Sequence, residues 1–249
     1  GPANLEIASI PTPLFIPFGF FPNQQKQSSG IIFPTYGESA NKGFFLRNGG
    51  YYFAINDYMD LSLRGDIYTK GSWKLGTASN YKKRYKYNGN FSISYASQKS
   101  GNRDLDDFTD IRDFFINWKH NQDPKVNPSS RFSANVNAGS SSYHQNNSFN
   151  SNDYLKNSYS SNVSYSKTWR KSNVSANLRH SQNTLNKTVN LSLPELNYSI
   201  NRLQPFKGFN QTSKSKWYDN ISMSYSVNAK NEISAIDSLL FTRESLAHL

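Results

Sequence analysis

The sequence predicts an all-β fold, and more specifically the antiparallel strands of a transmembrane β-barrel. Three observations support this prediction. Apolar and polar residues alternate with period two over most of residues 43–229, as expected for strands with one apolar and one polar face. Tight turns and long polar loops connect these segments. Aromatic residues stand near the segment ends, as in the girdles of membrane barrels.

Eight segments carry the alternation most clearly. Each places apolar residues at every second position, with Ser, Asn, Arg or Asp between them. We therefore expect eight or nine strands of about ten residues, the length that crosses a bilayer. The alternating segments are 59–68, 91–95, 114–118, 132–138, 163–169, 174–178, 189–193 and 221–229.

The two faces of these strands are expected to meet different surroundings. The apolar residues should point toward lipid, because no continuous hydrophobic core is evident in the sequence. They are Leu61, Leu63, Ile93, Val136, Val163, Leu178 and Met223. The polar residues should line a wet lumen. They are Ser62, Arg64, Ser94, Asn135, Ser164, Asn177 and Ser224.

The connections between the strands differ in length. Residues 169–172 form a tight turn, whereas residues 97–110 and 142–158 are long and polar. Within 189–206 the apolar positions are odd up to Leu193 and even from Leu196, so Pro194 and Glu195 absorb a shift of one residue. Such a shift is typical of a β-bulge. Helical spacing is approximated only over residues 233–246, which we expect to be the one short helix.

A soluble β-sandwich is the alternative fold, since its strands also alternate. A sandwich of this size needs one continuous hydrophobic core. The chain instead offers separate apolar faces that are rich in aromatic rings, and this favours the membrane barrel.

The composition narrows the class of protein. Of 249 residues, 36% are hydrophobic and 15% aromatic. The mean hydropathy of −0.72 is low, yet the aromatic content argues against disorder. No cysteine is present, so the chain can form neither disulfides nor thiolate metal sites. The net charge of +11 favours an anionic partner: nucleic acid, anionic lipid or acidic glycan.

The N-terminal part combines proline with aromatic residues. Residues 10–22 read IPTPLFIPFGFFP. Proline donates no backbone hydrogen bond, so this run is expected to be extended but poorly paired. We find neither a signal peptide nor an apolar run of about 18 residues that could span a membrane as a helix. Because residue 1 is glycine, we expect the chain to be a piece of a longer protein.

No catalytic arrangement stands out, so we expect neither an enzyme nor a bound cofactor or metal. The four histidines are isolated. Residues 103–113 contain five aspartates in an expected outer loop, which is either a solvated loop or a divalent-cation site. Residues 81–87, YKKRYKY, alternate basic with aromatic side chains. This pattern fits nucleic-acid binding, or, in a strand, contact with anionic lipid headgroups, which we favour.

Three blocks of the sequence resemble one known family. They are GPANLEIASIPTPLFIPFGFFP (1–22), GGYYFAINDYMDLSLRGDIYTKGSWKLG (49–76) and LSLPELNYSINRLQPF (191–206). In this order they resemble LptD, the lipopolysaccharide (LPS) assembly proteins of the outer membrane, in the form found in Bacteroidetes-type bacteria. Three collinear blocks are more specific than any one of them.

The resemblance implies a two-part protein. A periplasmic β-jelly roll would receive LPS from an LptA-like periplasmic bridge, and a large barrel, plugged by an LptE-like lipoprotein, would release it through a lateral gap between its first and last strands. Residues 1–40 would be the end of the jelly roll and the hinge, 41–231 the N-terminal barrel strands, and 232–249 a loop segment. Proteobacterial members use disulfides that this chain cannot form.

The resemblance also gives the proline run a role. The hinge would let acyl chains pass from the jelly roll to the membrane, with apolar side chains beside the lipid and prolines removing the donors that would close the passage. The expected hinge residues are Pro11, Pro13, Leu14, Phe15, Pro17, Phe18, Phe20, Phe21, Pro22 and Pro34. An irregular linker packed on the barrel rim is the alternative.

The sequence therefore predicts LPS transport and assembly in the outer membrane, with a periplasmic N-terminal segment and no nucleic-acid partner. Two alternatives remain open. The first is a porin or nutrient-receptor barrel with a closed seam. The second is a soluble basic β-domain that binds nucleic acid or glycan.

Overall fold

A computed structural model describes residues 3–7, 10–16, 27–101, 107–148, 150–206 and 217–236, with side chains from residue 27 onward except at 218 and 219. The described chain is almost entirely β-structure. A two-stranded antiparallel sheet is followed by a twelve-stranded sheet. The strands are β1 (Ala3–Ile7), β2 (Ile10–Ile16), β3 (Gly30–Ile32), β4 (Thr35–Ser39), β5 (Gly43–Asn56), β6 (Met59–Tyr68), β7 (Trp73–Lys83), β8 (Tyr87–Ser100), β9 (Thr109–Gln122), β10 (Ser130–Gly139), β11 (Ser158–Thr168), β12 (Ser172–Asn183), β13 (Thr188–Leu203) and β14 (Met223–Ile236).

The large sheet is an antiparallel meander. From β5 to β14 every strand pairs with its neighbour in the chain, and β3 and β4 both pair with the outer edge of β5. The all-β antiparallel prediction is confirmed. The sheet does not close on itself within the described residues, because β14 forms one edge and β3 with β4 the other. It extends over residues 30–236.

All eight alternating segments fall in strands, although Trp169 and Ile221 lie just outside β11 and β14. Four strands of the sheet were missed: the short β3 and β4, and the long β5 and β7. In β5 the apolar positions change from even (Phe44, Leu46) to odd (Tyr51, Phe53) across Gly49 and Gly50, which hides the alternation. In β7 the small polar residues Thr77 and Ser79 occupy two neighbouring apolar-face positions and interrupt the pattern.

The predicted bulge in β13 is confirmed. Ser192 lies opposite Arg179 of β12, and Glu195 lies opposite Asn177, so Leu193 and Pro194 together face a single residue. The register with β14 shifts at the same place. The peptide bond between Leu193 and Pro194 is cis.

The helix expected over 233–246 is wrong as far as the structure describes it. Ile233 and Ala235 belong to β14, where they lie opposite Leu191 and Val189 of β13. Apolar residues at every second position also favour a strand. In β14 the backbone groups of Ile233 and Ala235 form their hydrogen bonds by strand pairing. Residues 237–246 lie outside the described part of the chain.

Two short helices occur where a long polar loop was predicted. They are α1 (Tyr143–Asn147) and α2 (Ser151–Tyr154), between β10 and β11. A single 3-10 turn covers Trp217–Asn220. Across the described ranges, no helix has the length and apolar character needed to cross a membrane.

The two ends of the sheet differ. We call the end that carries residues 57–58, 84–86, 123–129 and 169–171 the turn end, because these connections are short. The opposite end, called the loop end, carries the longer connections 101–108 and 140–157 together with the four-residue turns 69–72 and 184–187. The connection 204–222 is an exception, since it is long and lies at the turn end.

Only the second part of the aspartate-rich segment departs from the outer loop that the sequence suggested. Strand β9 begins at Thr109, so Asp110 and Asp113 belong to the sheet. Asp110 accepts a 2.9 Å hydrogen bond from the Ser97 hydroxyl, and Asp113 is fully buried. No group of three or more potential metal ligands occurs in the described ranges. Residues 102–106 of the segment lie outside them.

Candidate functional site

The outer edge of β5 is covered by an interrupted strand. β3 pairs with Gly50–Tyr52, and β4 pairs with Gly43–Arg47. Between β3 and β4 stand Phe33 and Pro34, opposite Asn48 and Gly49, where no pairing is formed. Pro34 has no backbone N–H to donate. The edge is therefore held by two short pieces with a break at the proline.

A bulge in β5 lies directly behind this break. The register between β5 and β6 shifts between Leu46 and Gly49. Asn48 adopts a left-handed conformation with φ of 57°, and its backbone N–H donates a 2.7 Å hydrogen bond to Oδ1 of Asp66. A β-carbon on Gly50 would lie 1.9 Å from the carbonyl oxygen of Leu63. The bend in β5 thus requires glycine at position 50.

The interrupted edge is apolar and exposed. Phe33 is 84% and Tyr36 88% accessible to solvent. Beside them lies an open cleft of about 540 Å³ whose lining is mainly apolar. Its lining includes Tyr36, Gly37, Phe44, Leu46, Ile67 and Thr69. A surface of this kind is compatible with hydrocarbon and unusual for an edge that meets water.

The residues expected to form the hinge fall into three groups. Pro34 is at the break between β3 and β4. Pro11, Pro13, Leu14 and Phe15 lie in β2, whose pairing with β1 is irregular: Ile16 and Phe15 pair with Ala3 and Asn4, and the register then shifts before Pro11 pairs with Glu6. The others lie outside the described residues. They are Pro17, Phe18, Phe20, Phe21 and Pro22.

The strand registers sort the predicted lipid-facing and lumen-facing residues onto opposite faces. Residues directly opposite in an antiparallel sheet share a face, and neighbours along a strand alternate. Leu63 lies opposite Thr77, and Thr77 opposite Ile93, whereas Arg64 lies opposite Gly76, and Gly76 opposite Ser94. We call the two sides the apolar face and the polar face. The apolar face carries Leu61, Leu63, Ile93, Val136, Val163, Leu178 and Met223, and the polar face carries Ser62, Arg64, Ser94, Asn135, Ser164, Asn177 and Ser224.

The apolar face is open rather than covered by a second sheet. Large side chains such as Leu75, 57% accessible, and Met223, 59% accessible, are exposed there. In the described part of the chain, the buried hydrophobic residues are few. They are Ala96, Ala134, Tyr143, Tyr159 and Val189. A soluble sandwich would bury such a face against another layer.

Aromatic side chains mark both ends of the apolar face. Near the turn end, the ring centroids of Tyr81 and Tyr87 are 6.1 Å apart, and the Trp118 indole N–H donates a 2.9 Å hydrogen bond to the Tyr81 hydroxyl. Near the loop end, Trp73 contacts Tyr95 at 5.6 Å. Eight residues separate the two belts on β7, which is about 27 Å along a strand. Tilted by about 40°, this length spans about 21 Å along the membrane normal, somewhat less than the apolar band of a membrane barrel, about 25 Å tall.

The loop between β10 and β11 folds back onto the polar face. The Tyr143 hydroxyl in α1 lies 2.6 Å from Oγ of Ser94, and its ring stacks on Phe115 with centroids 5.1 Å apart. Asp113 accepts hydrogen bonds from Ser142 Oγ at 2.6 Å, Asn146 Nδ2 at 2.9 Å and Asn147 Nδ2 at 3.2 Å. A buried carboxylate therefore anchors the loop.

His144 is enclosed by this docked loop. Its ring lies 5.1 Å from that of Phe115 and 5.3 Å from that of Tyr159, centroid to centroid. Burial lowers the pKa of His144 below its ordinary value of 6.5, and the ammonium groups of Lys156 and Lys74 lower it further, against the opposing carboxylate of Asp153. The neutral imidazole is thus the form that fits the docked loop.

Sequence reasoning missed two features of this site. The break opposite Asn48 and Gly49 was not foreseen, although the glycine pair followed by a change of apolar parity was a signal for it. The docking of α1 was also missed. The sequence did contain a signal for it: Asp113 is an acidic residue next to the aromatic residues of β9. A carboxylate buried there requires polar partners, which the following loop could supply.

These features define an all-β protein whose sheet separates an exposed apolar surface from a polar one. The family model described as LptD protein matches residues 1–248. The LPS-assembly protein LptD of Shewanella frigidimarina (strain NCIMB 400) is 30% identical over 98 residues, 39% of this chain and 12% of that protein. The chain belongs to the LptD protein family, as the sequence predicted, and covers a small share of that relative's length.

Proposed function

We propose that this chain is a part of an outer-membrane protein that transports and assembles LPS, and that it does no covalent chemistry. Family membership supports this role. The observation that carries it is the exposed apolar face between two aromatic belts, backed by a polar face. In this proposal β3–β14 are the first strands of a transmembrane barrel, with the apolar face toward lipid and the polar face toward the lumen.

We further propose that the interrupted edge is one side of a lateral gate. An unbroken edge strand would offer a continuous row of donors and acceptors to the strand that closes the barrel. The break at Pro34 removes a donor, and the bulge at Asn48 bends β5 away from regular pairing. The exposed side chains of Phe33 and Tyr36 give passing acyl chains an apolar surface.

The orientation of the sheet follows from its connections. Short turns of membrane barrels face the periplasm, and long loops face the exterior. Gln27, which precedes β3, accepts a hydrogen bond from the Tyr52 hydroxyl and lines a cleft at the turn end. The N-terminal segment would thus arrive from the periplasm, where the jelly roll and hinge that precede β3 would receive LPS.

The remaining parts of the proposal come from the family. An LptA-like bridge would deliver LPS to the N-terminal part, and an LptE-like lipoprotein would plug the lumen. The closing strand of the gate would be supplied by a part of the protein beyond this chain. Residues 17–22 would complete the hinge.

A photo-crosslinking experiment tests the gate in the full-length protein in cells. A photo-reactive amino acid replaces Phe33, and in a control strain it replaces Val163, which lies on the apolar face away from the edge. We expect adducts with newly exported LPS at position 33, and few at 163. A porin or nutrient receptor would give no LPS adduct at position 33. Equal labelling at both positions would reflect contact with bulk lipid and would overturn the gate.

A further inference from the structure

The polar face carries an open cleft of about 850 Å³ at the turn end. Its lining comes from Gln27, from the turns 57–58 and 84–86, and from the turn-end parts of β6, β7, β8 and β9. The polar and charged side chains of its lining include Asp60, Lys82, Arg84, Asn88, Lys119 and Asn121. The cleft reaches from Gln27, which precedes β3, across the turn end to β9 inside the sheet.

Strand register fixes the order of these groups. Lys82 lies opposite Asn88, and Asn88 lies opposite Asn121, so the three form one row across β7, β8 and β9. Lys119 lies two residues along β9 from Asn121, on the same face. From the standard strand spacings, the Cα atoms of Lys82 and Lys119 are about 12 Å apart. Their long side chains can therefore reach two groups of a single ligand.

The cations of the cleft are not neutralised by ion pairs. Lys82 and Lys119 are both exposed, and none of the ion pairs found across the described ranges involves Lys82, Arg84 or Lys119. Two carboxylates also line the cleft. Asp60 already accepts hydrogen bonds from the Asn80 backbone N–H at 2.8 Å and from the Tyr52 hydroxyl at 3.3 Å, while Asp57 lies in the turn between β5 and β6. Lys82, Arg84 and Lys119 together with Asp57 and Asp60 give the lining of the cleft a formal charge of +1 (three cations and two carboxylates).

Uncharged amides stand between the two lysines. Asn88 and Asn121 make no side-chain hydrogen bond within the described ranges. Farther along the polar face, Asn90 donates to Asn117 at 3.1 Å, and Asn117 donates to Asn137 at 2.6 Å. An amide can donate and accept at once, which suits sugar hydroxyls. Ammonium and guanidinium groups suit phosphate or carboxylate.

We propose that this cleft is a binding site for an anionic saccharide that carries phosphate or carboxylate groups. Lys82, Lys119 and Arg84 would bind the anionic groups, and Asn88 and Asn121 the hydroxyls between them. The site rests on the proposed function, because it takes the sugar part of the transported lipid as its ligand on the periplasmic side of the lumen.

Single-stranded nucleic acid is a less suitable ligand. Such ligands bind by stacking their bases on exposed aromatic faces. Two tyrosines line the cleft, Tyr58 and Tyr81. The Tyr81 ring projects from the apolar face, where its hydroxyl accepts a hydrogen bond from Trp118 and lies 3.0 Å from Nδ1 of His120. The Tyr58 ring lies under the ammonium group of Lys83 at 5.0 Å, so both rings are engaged by groups other than Lys82 and Lys119.

The segment YKKRYKY splits between the two faces of the sheet. Tyr81 and Tyr87 belong to the turn-end aromatic belt, and Lys83 lies over the Tyr58 ring at 5.0 Å. Lys82 alone among the β7 lysines of this segment points into the cleft. Contact with anionic lipid headgroups is therefore possible for Lys83, whereas Lys82 is available to a ligand on the polar face.

The test uses the full-length protein, purified in detergent, with a photo-reactive amino acid in place of Asn121. The probes are labelled LPS and the same LPS after enzymatic removal of its phosphates. The variant is Lys82→Gln with Lys119→Gln. The matched control is Lys83→Gln with Lys125→Gln, which removes the same charge outside the cleft. A second reporter position, Ser92, lies farther along the polar face.

We expect the intact probe to label position 121, and labelling to fall about tenfold in the Lys82/Lys119 variant but less than twofold in the control. Phosphate removal should lower labelling of the parent protein more than that of the variant if the anionic groups are phosphates, and equally if they are carboxylates. Equal labelling of parent and variant would overturn the site, as would an equal loss in the control. Displacement of the probe by a single-stranded oligonucleotide, but not by unlabelled LPS, would overturn it too.

The two proposals fail in different ways. Labelling at position 92 without labelling at position 121 would agree with LPS in the lumen but contradict binding in this cleft. No labelling at either position would contradict the proposed function itself.

Discussion

Ser142 donates a 2.6 Å hydrogen bond to Oδ1 of Asp113, across 29 positions of the chain. This contact joins the loop between β10 and β11 to a fully buried carboxylate of β9. Asn146 and Asn147 donate to the other carboxylate oxygen, Oδ2. The loop is therefore anchored inside the polar face instead of lying free in solvent.

Replacing Asp113 should release this loop. In Asp113→Ala, three donors lose their acceptor, and each donor left unsatisfied in a buried place costs about 1–3 kcal/mol. We expect faster proteolysis within residues 140–157 while the sheet remains folded. Limited proteolysis with mass mapping measures this. Asp110→Ala is the control, because its partners lie on β8 and β9; equal sensitivity of the two variants would contradict the anchoring role.

Docking of the loop should weaken as the pH falls. His144 has a lowered pKa in the folded loop, so the folded state binds fewer protons than the unfolded one, and stability is lost as pH falls below about 6.5 toward the folded-state pKa. Hydrogen exchange of residues 143–148 at a series of pH values, corrected for intrinsic exchange, measures the loss. His144→Gln should flatten the profile. An unchanged profile in that variant would assign the pH dependence to another group.

A side chain at position 50 should disrupt the edge of the sheet. The β-carbon of Gly50→Ala would meet the Leu63 carbonyl at 1.9 Å, so β5 must move away from β6. We expect a loss of about 1–3 kcal/mol in the free energy of unfolding, the usual cost of forced overpacking. Denaturant titration of the refolded protein in detergent measures it. Gly30→Ala is the control, since nothing lies within 4 Å of its β-carbon position; an equal loss there would refute the steric explanation.

Arginine should distinguish the two faces of β8. Ile93→Arg places a charge on the apolar face at mid-strand and should cost about 2–4 kcal/mol if that face meets lipid. Ser92→Arg, on the polar face one position away, should cost little. Unfolding free energies in bilayers measure the difference. Equal costs would support a soluble sheet and contradict the membrane orientation.

Proline 34 should control the proposed gate. Pro34→Ala supplies a backbone N–H at the break between β3 and β4, and one new edge hydrogen bond would stabilise the seam by about 0.5–1.5 kcal/mol. We expect normal insertion but slower delivery of LPS to the cell surface and greater leakage of hydrophobic compounds. Pro124→Ala, in the turn between β9 and β10, is the control. Normal delivery with an unchanged thermal midpoint would make Pro34 a structural linker residue only.

Sequence alone determined the strands and the composition of their two faces. The alternation of Leu63 with Arg64 is local, because successive residues of any strand point to opposite sides. The bulge at Pro194 was equally readable, since an extra residue changes the parity of the apolar positions. The proline-rich run identified an extended segment for the same reason: the restriction of φ belongs to the residue itself.

The tertiary structure alone decided which segments meet. The break at Pro34 matters because β3 and β4 pair with the same edge of β5, and residues 30–39 do not indicate their partner. From the sequence, Asp113 is indistinguishable from a loop aspartate, and only the position of α1 shows that it is a buried anchor. Lys82 and Lys119 come together only through the register of β7, β8 and β9. Such contacts join residues far apart in the chain, and their energies depend on burial and pairing that local sequence patterns do not specify.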